Sequence, residues 1–271
     1  MTRRGQAGRA GGARKRFGQN FLVDEAVVER IIATIAPAAG ERIIEIGPGR
    51  EALTRPLLAA GTDLAVVEID RDLAASLRAR HPRLEVVESD ALDVDFAALS
   101  GARPYRLVGN LPYNISTPLL FHLFAQTPQP TDMHFMLQKE VVDRLTAEPG
   151  TRAQGRLGLM CRNLATVTHL FDVPPEAFDP RPKVNSAVVK LCPRNTPRVP
   201  ERFAATFDEL VRRAFAQRRK TLRNSLRGRV DAATLEAAGV DPGARPESLA
   251  LEDFLALARA VEQPTADPAS L

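Results

Sequence analysis

The chain has 271 residues, 44% of them hydrophobic and 26% charged, an ordinary composition for a soluble globular protein with room for one large and one smaller domain. No apolar run has the length of a membrane span, which argues against a membrane protein and against a secretory signal. The two cysteines, Cys161 and Cys192, cannot form a disulfide framework and lack the spacing of metal ligands. We therefore expect a cytoplasmic monomer that binds neither a membrane nor a metal ion.

Positive charge is concentrated in two segments. Residues 1–16 contain six Lys or Arg side chains, residues 212–229 contain eight, and neither segment contains an acid. The rest of the chain has 23 basic and 33 acidic side chains, so its net charge is −10 although the whole chain carries +4. This asymmetry favours a polyanionic partner, because each neutralised phosphate releases counterions. A solvated helix face with a disordered tail is the alternative that charge alone leaves open.

Helical and strand patterns alternate along most of the chain. Residues 1–13, rich in Gly, Ala and Arg, are predicted to be disordered. Apolar spacing predicts helices at Glu25–Ala36, Ala52–Ala60 and Asp72–Arg80. The predicted strands are Arg42–Ile46, Leu64–Ile69, Leu84–Val87, Arg106–Gly109 and Met133–Leu137. Apolar strands separated by helices predict a parallel sheet with helices on both faces.

The pattern changes towards the end of the chain. Ala165–Phe171 and Ser186–Leu191, joined by a proline-rich loop, are predicted to form an antiparallel hairpin at the sheet edge. Pro193–Pro200 contains three prolines and is interpreted as a linker, after which further helices are predicted at Ala232–Ala238 and Leu251–Glu262. The predicted domains are a basic tail over residues 1–16, an α/β domain over residues 17–195 and a small all-helical domain over residues 196–271.

Three predicted strand ends carry residues typical of a nucleotide site. After the first strand, Gly47 and Gly49 let the backbone turn sharply and approach a ligand, although with Ala52 they also satisfy the dinucleotide fingerprint. Glu68 follows about twenty residues later, where an acid would bind ribose hydroxyls. Asp90 could accept a hydrogen bond from an adenine amine, or it could cap the next helix. These residues predict a nucleotide cofactor and leave NAD open.

The fourth predicted strand leads into the motif Gly109–Asn114. An exocyclic adenine amine is a poor nucleophile, because its lone pair is delocalised into the ring. The side-chain oxygen of Asn110 and the carbonyl of Leu111 can accept its two hydrogens and favour a pyramidal nitrogen. Pro112 would keep these acceptors fixed, and Tyr113 would stack on an extracted base. The motif therefore predicts methylation of an adenine N6 amine, against the alternative of a capped proline turn.

Several long segments carry a family resemblance across nearly the whole chain. They are Arg14–Leu22, Asn110–Pro118, Leu137–Val141, Phe178–Val184 and Gln217–Thr221. These segments resemble the ribosomal RNA adenine dimethyltransferase family, in particular its KsgA-type bacterial small-subunit members. The resemblance implies a class I S-adenosylmethionine-dependent methyltransferase fold, Rossmann-like with a seven-stranded sheet, and a small helical C-terminal domain. It also implies dimethylation of two adjacent adenines in the 3′-terminal hairpin loop of small-subunit (16S) ribosomal RNA, in an immature small ribosomal subunit.

The resemblance assigns functional residues by position. Cofactor contacts are implied for Asn20, Leu22, Gly47, Glu68, Asp90 and Asn110, to which the glycine pair adds Gly49. The expected catalytic residues are Asn110, Leu111, Pro112, Tyr113 and Phe178. Phe178 would stack on the target base opposite Tyr113, unless it is an ordinary core residue. The basic side chains expected to bind RNA are Arg14, Lys15, Arg16, Arg218, Arg219, Lys220 and Arg223.

Two residues of the glycine loop depart from the family pattern. The family usually has a small residue where this chain has Glu51, and often an apolar one where it has Arg50. Glu51 would place negative charge beside a cofactor that carries its own carboxylate. The alternative functions are therefore a large-subunit RNA methyltransferase that confers antibiotic resistance, a NAD-dependent oxidoreductase, and a non-catalytic RNA- or ribosome-binding factor. Only the methyltransferases account for the segment Asn110–Tyr113.

Overall fold

The computed structural model describes residues 20–112, 115–217 and 219–263. Its strands are β1 (Phe21–Leu22), β2 (Arg42–Ile46), β3 (Asp63–Glu68), β4 (Glu85–Glu88), β5 (Arg106–Asn110), β6 (Asp132–Gln138), β7 (Ala165–Val173), β8 (Phe178–Asp179) and β9 (Ser186–Pro193). Seven of them form a sheet of order β4-β3-β2-β5-β6-β9-β7, and β1 pairs with β8 in a separate two-stranded sheet. The predicted seven-stranded α/β fold is confirmed.

Helices connect the strands and make up the C-terminal region. They are α1 (Glu25–Ile35), α2 (Thr54–Ala59), α3 (Arg71–Arg80), α4 (Phe96–Leu99), α5 (Ser116–Phe124), α6 (Lys139–Leu145), α7 (Arg156–Leu164), α8 (Glu201–Ala216), α9 (Leu222–Ser225), α10 (Ala232–Ala237) and α11 (Leu251–Glu262). Short 3₁₀ turns lie at Pro175–Ala177 and Pro246–Ser248. Every helix predicted from apolar spacing is confirmed, whereas α6 and α7 have no counterpart in the sequence-based prediction.

The position of β2 explains where a ligand site can form. β2 pairs in parallel with β3 on one side and with β5 on the other. The chain therefore runs from β2 through β3 to β4, and then crosses β2 to add β5. Such a reversal of strand order opens a crevice at the carboxyl ends of the strands. The loops that follow β2, β3, β4 and β5 meet at this edge.

Buried ion pairs fix the register at the opposite edge of the sheet. Arg42 of β2 faces Asp63 of β3 in register, with 3.1 Å between their charged groups. Arg106 of β5 likewise faces Asp132 of β6, at 2.6 Å. A buried charge is costly unless it is paired, so these partners disfavour a slipped register.

The chain divides into two compact units. The first comprises the described residues up to Lys139 together with Leu170–Lys190, and the second comprises Glu140–His169 with the described residues from Leu191 onwards. The predicted boundary near residue 195 lies close to the last entry into the second unit. It does not anticipate that α7 contributes Leu159 to the hydrophobic core built by α8 and α11. The domain boundaries at residues 16 and 195 stay predictions.

The predicted edge strands are found in part. β9 lies between β6 and β7, and β7 is the last strand of the order, so their position at the edge is confirmed. Their antiparallel direction stays a prediction. The loop between them contains β8, which pairs antiparallel with β1 and sets Leu22 opposite Phe178.

Candidate functional site

The glycine loop follows β2 at the reversal point of the sheet. Gly47 and Gly49 have φ angles of 69° and 54°, in the left-handed region that favours glycine. A Cβ atom on Gly49 would lie 3.0 Å from the ring of Phe21, so the absence of a side chain lets this ring approach the loop. The loop thus offers its backbone at close range, as expected for a nucleotide site.

Glu68 at the end of β3 holds the glycine loop in place. Its carboxylate accepts hydrogen bonds from the backbone N–H groups of Gly49, at 3.2 Å, and Asp70, at 2.9 Å. Burial raises the pKa of Glu68, and the two backbone hydrogen bonds partly offset this effect. Each carboxylate oxygen can accept a further hydrogen bond, so this geometry is compatible with the predicted ribose contact.

Asp90 lies at the end of the neighbouring strand, β4. Its Oδ1 atom accepts the backbone N–H of Leu92 at 2.9 Å, in a local turn. The next helix is capped by Asp95, which accepts from Ala98 at 2.8 Å, so the alternative of Asp90 as its cap is wrong. Ile69 lines the same pocket with an apolar side chain that is 42% exposed. An acceptor beside an apolar wall suits an adenine ring.

Asn110 is the last residue of β5 and lines the same pocket. Its Nδ2 atom donates a 3.0 Å hydrogen bond to the backbone carbonyl of Asn20. Because a carbonyl only accepts, the atom that faces it must be the amide nitrogen. The side-chain oxygen is then the group that Asn110 offers to a ligand.

The residues around Asn110 are tightly constrained. A Cβ on Gly109 would lie 2.4 Å from the carbonyl oxygen of Ile46, so glycine is needed where β5 passes β2. Leu111 is buried and donates its N–H to Met136 at 3.1 Å. The carbonyl of Pro112 accepts from the N–H of Ile115 at 3.3 Å, in a turn before α5. Tyr113 lies outside the described residues.

Phe178 does not lie where a stacking role would need it. It is 4% exposed and belongs to the core that contains Leu22 and Val188. It is not among the residues that line the pocket. Stacking on a base would require its ring to move out of this core, so the catalytic role of Phe178 stays a prediction.

The pocket brings together the predicted cofactor residues and others that sequence reasoning missed. Its lining contains Asn20, Leu22, Gly47, Gly49, Glu68, Asp90 and Asn110 as predicted, with Leu111 and Pro112 from the catalytic motif. The residues not predicted include Phe21, Glu45, Ile69 and Ala91. An apolar residue between two acids, as at Ile69, is the signal that could have identified a ligand contact.

Glu45 is a carboxyl group buried within β2. It is 2% exposed and accepts a 2.6 Å hydrogen bond from the hydroxyl of Thr54. Burial raises the pKa of Glu45 to about 8, and the hydrogen bond from Thr54 only partly offsets this. The negative charges of Glu68 and Glu51 raise it further. The pocket therefore has a neutral carboxyl at its base at neutral pH.

The two unusual loop residues point in different directions. Arg50 stacks over the ring of Phe21, with 4.3 Å from its guanidinium carbon to the ring centroid, and pairs with Asp179 at 3.0 Å. Glu51 does not line the pocket, and its buried carboxylate meets Arg80 and His81 at the end of α3. The expectation that Glu51 places its charge beside the cofactor is therefore wrong.

Comparison with known proteins was decisive for the family. The family described as "Ribosomal RNA adenine dimethylase" matches residues 11–263. The chain belongs to this family. Curated relatives named "Ribosomal RNA small subunit methyltransferase A" are 54% identical in Chromobacterium violaceum, over 90% of this chain and 94% of the relative, and 53% identical in Bordetella petrii, over 95% and 98%.

Solved structures agree with the family of adenine dimethylases. A dimethyladenosine transferase from Plasmodium falciparum superposes with a TM-score of 0.76 at 25% identity, covering 90% of this chain and 97% of that one. The 23S rRNA methyltransferase ErmE gives a TM-score of 0.71 at 29% identity, covering 90% of this chain and all of the other. The chain is therefore a methyltransferase of this fold, and its cofactor is S-adenosylmethionine.

The pocket fits this dimethylase cofactor. The backbone of the glycine loop leaves room for the ligand, and Glu68 offers acceptors for ribose hydroxyls. Ile69 and Asp90 offer an apolar wall and an acceptor for the adenine. Among the described residues, no helix is long and apolar enough to span a bilayer, and no group of His, Cys, Asp and Glu side chains is arranged to hold a metal ion.

The second unit carries the basic segment of residues 212–229. Glu209 pairs with Arg213 at 2.8 Å and with Arg229 at 3.1 Å, and the hydrogen bond from Arg229 is the main cause of its lowered pKa. The exposed basic side chains of this segment that form no ion pair with another described residue are Arg212, Arg219, Lys220, Arg223 and Arg227. Three of these were predicted to bind RNA, and Arg212 and Arg227 are additional candidates. The other predicted RNA contacts, Arg14, Lys15, Arg16 and Arg218, lie outside the described residues.

Proposed function

We propose that this protein uses S-adenosylmethionine to dimethylate the N6 amines of two adjacent adenines in the 3′-terminal hairpin loop of small-subunit (16S) ribosomal RNA. Its substrate would be an immature small ribosomal subunit, and it would act in the cytoplasm as a monomer. The observation that carries the proposal is the orientation of Asn110, whose amide nitrogen is bound to Asn20 at the edge of the cofactor pocket.

The cofactor residues divide by chemistry. Glu68 would hold the ribose hydroxyls, Asp90 the adenine amine, and the backbone of Gly47–Gly49 the methionine portion. Asn20, Leu22 and Asn110 complete the wall of the pocket. When bound, the cofactor supplies an electrophilic methyl group on a sulfonium.

The acceptor residues polarise the adenine amine. The Oδ1 atom of Asn110 and the carbonyl of Leu111 would each accept one N6 hydrogen, which concentrates the lone pair on the nitrogen. Pro112 would hold both acceptors, and Tyr113 would stack on the flipped base. No side chain has to remove a proton before transfer, because the proton can leave to water afterwards. The chain's contribution is then orientation and polarisation.

The exposed cations of the second unit support a large RNA substrate. Arg219, Lys220 and Arg223 have no acidic partner among the described residues, so they are available to phosphates. Arg212 and Arg227 extend the same set. By contrast, Arg213 and Arg229 are occupied by Glu209.

The alternatives are less well supported. Identity is 51–54% to relatives named for the small subunit but 29% to a 23S rRNA methyltransferase, which favours the small subunit as the target. The non-catalytic binding factor rested on repulsion between Glu51 and the cofactor, and the Glu51 carboxylate faces Arg80 and His81 instead. An oxidoreductase would make no use of Asn110.

The proposal is tested by methyl transfer to purified ribosomal particles. Incubation with labelled S-adenosylmethionine and immature small subunits should yield N6,N6-dimethyladenosine at two adjacent positions of the 3′-terminal hairpin loop. Large-subunit particles serve as the matched control and should remain unlabelled. Binding of small subunits without methyl incorporation would support the non-catalytic factor instead, and labelled large subunits would support the resistance enzyme.

A further inference from the structure

Glu51 combines two properties that seldom occur together. Its φ angle is 70°, in the left-handed region that residues with a Cβ avoid, and its side chain is only 1% exposed. A buried carboxylate is costly unless cations compensate it. Both features require an explanation from the residues around it.

Three basic side chains surround the Glu51 carboxylate. The guanidinium of Arg80 lies 2.5 Å from Oε1, and the Nε2 atom of His81 lies 3.0 Å from Oε2. Arg55, one turn along, approaches Oε2 at 3.2 Å but is 67% exposed. Burial alone would raise the pKa of Glu51, but the hydrogen bonds from His81 and Arg55 and the charge of Arg80 lower it overall. The carboxylate is therefore ionised and held on the side of α3.

The backbone of Glu51 closes the loop that lines the cofactor pocket. Its N–H donates to the carbonyl of Pro48 at 2.8 Å, and its own carbonyl accepts from the N–H of Arg55 at 3.3 Å. The turn between Pro48 and Glu51 contains Gly49, whose N–H binds Glu68. A relaxed φ at Glu51 would open this turn and shift Gly49.

Helix α3 connects both ends of this arrangement. It begins directly after Glu68, where Asp70 caps it, and it ends at Arg80 with His81 as its C-cap. The cations that hold Glu51 therefore belong to the element that follows the ribose acceptor. This contact ties the glycine loop to α3 from the side that faces away from the pocket.

We propose that Glu51 is a positioning residue for the cofactor, and that its contacts with Arg80 and His81 hold the glycine loop in a conformation that glycine would otherwise provide. The inference rests on the proposed use of S-adenosylmethionine. In this chain, charge pairing at position 51 replaces backbone freedom.

Calorimetric titration of the full-length protein with S-adenosylmethionine tests the proposal. Arg80→Ala and His81→Ala should each weaken binding by about tenfold, because each leaves the buried carboxylate short of a cation. Glu51→Gly should bind within about twofold of wild type, since glycine adopts this φ without support. Arg83→Ala is the matched control, because Arg83 is exposed and pairs with no other described residue. It should leave binding unchanged.

The double variants decide between positioning and a general structural effect. In the Glu51→Gly background, Arg80→Ala should have no effect on cofactor affinity, and Arg80→Lys should restore affinity in the Glu51 background. The KM for the cofactor should rise in Arg80→Ala while kcat and the KM for RNA stay constant. Equal weakening by Arg80→Ala in both backgrounds, or no weakening in either, would overturn the proposal. Wild-type protein that binds no cofactor would instead overturn the proposed function.

Discussion

The side-chain nitrogen of Asn110 donates a 3.0 Å hydrogen bond to the backbone carbonyl of Asn20, a residue ninety positions earlier in the chain. This bond fixes which end of the amide is offered to a ligand. Sequence reasoning assigned both residues to the site but not their contact. A direct consequence is that Asn110 tolerates neither loss of its side chain nor exchange for the isosteric acid.

Asn110→Asp should therefore abolish activity although it preserves shape. A carboxylate cannot donate to Asn20, and methyl transfer should fall by about 10²–10³-fold, the usual cost of removing one positioned polar group. Asn110→Ala should have a similar effect. Single-turnover transfer measures the loss, and filter binding of RNA serves as the control. Loss of RNA binding in these variants would show that Asn110 has a different role.

Gly109→Ala should destabilise the fold. Its Cβ would lie 2.4 Å from the carbonyl oxygen of Ile46, and overpacking of this kind typically costs about 1–3 kcal/mol. Gly40→Ala is a useful comparison, because Gly40 has a φ of 75° but open space around its Cβ site. Chemical denaturation of both variants separates contact from backbone strain. An undiminished free energy of unfolding for Gly109→Ala would contradict the close approach of β2 and β5.

Glu45 should make stability depend on pH. Because burial raises the pKa of Glu45 from 4.5 to about 8, the unfolded chain ionises first as pH rises. The free energy of unfolding of the wild type, relative to that of Glu45→Gln, should fall between pH 4.5 and about 8 and then level off. The slope should be at most about 1.4 kcal/mol per pH unit. A relative stability that is constant or rises over this range would refute the assignment.

Salt dependence should distinguish the paired from the unpaired arginines of the second unit. Arg223→Ala should reduce the slope of log affinity against log salt by about 0.9, the value expected for one lost phosphate contact. Arg213→Ala is the matched control, since Arg213 already pairs with Glu209, and its slope should change less. Binding to a small-subunit RNA fragment at several salt concentrations provides the measurement. Equal slope changes would indicate that Arg213 also contacts phosphate.

Local patterns predicted much of the fold. The β-branched run Arg42–Ile46 and the apolar spacing of Leu251–Glu262 appear as β2 and α11 with the predicted bounds. The two-residue strands β1 and β8 could not be predicted, because neither has a period and each exists only through its partner. The placement of α7 in the second unit depends on tertiary packing around Leu159, which the sequence pattern does not contain.

The site was predictable in its residue types but not in its orientations. Glu68, Asp90 and Asn110 were identified because strand ends of a parallel sheet meet at one edge. The direction of the Glu51 side chain was not predictable, since Arg80 and His81 reach it only through the fold. The burial of Phe178 likewise follows from its pairing with Leu22 across β1 and β8.

The close passage of Gly109 beside Ile46 has a consequence for inhibitor design. The strand that ends in Asn110 and the strand that leads into the glycine loop cannot slide apart or together without a collision. A bisubstrate compound that joins an adenosine to a second base across this gap would therefore meet two recognition elements at a constant spacing. A rigid linker matched to that spacing should gain affinity over a flexible one, because little ordering remains to be done on binding.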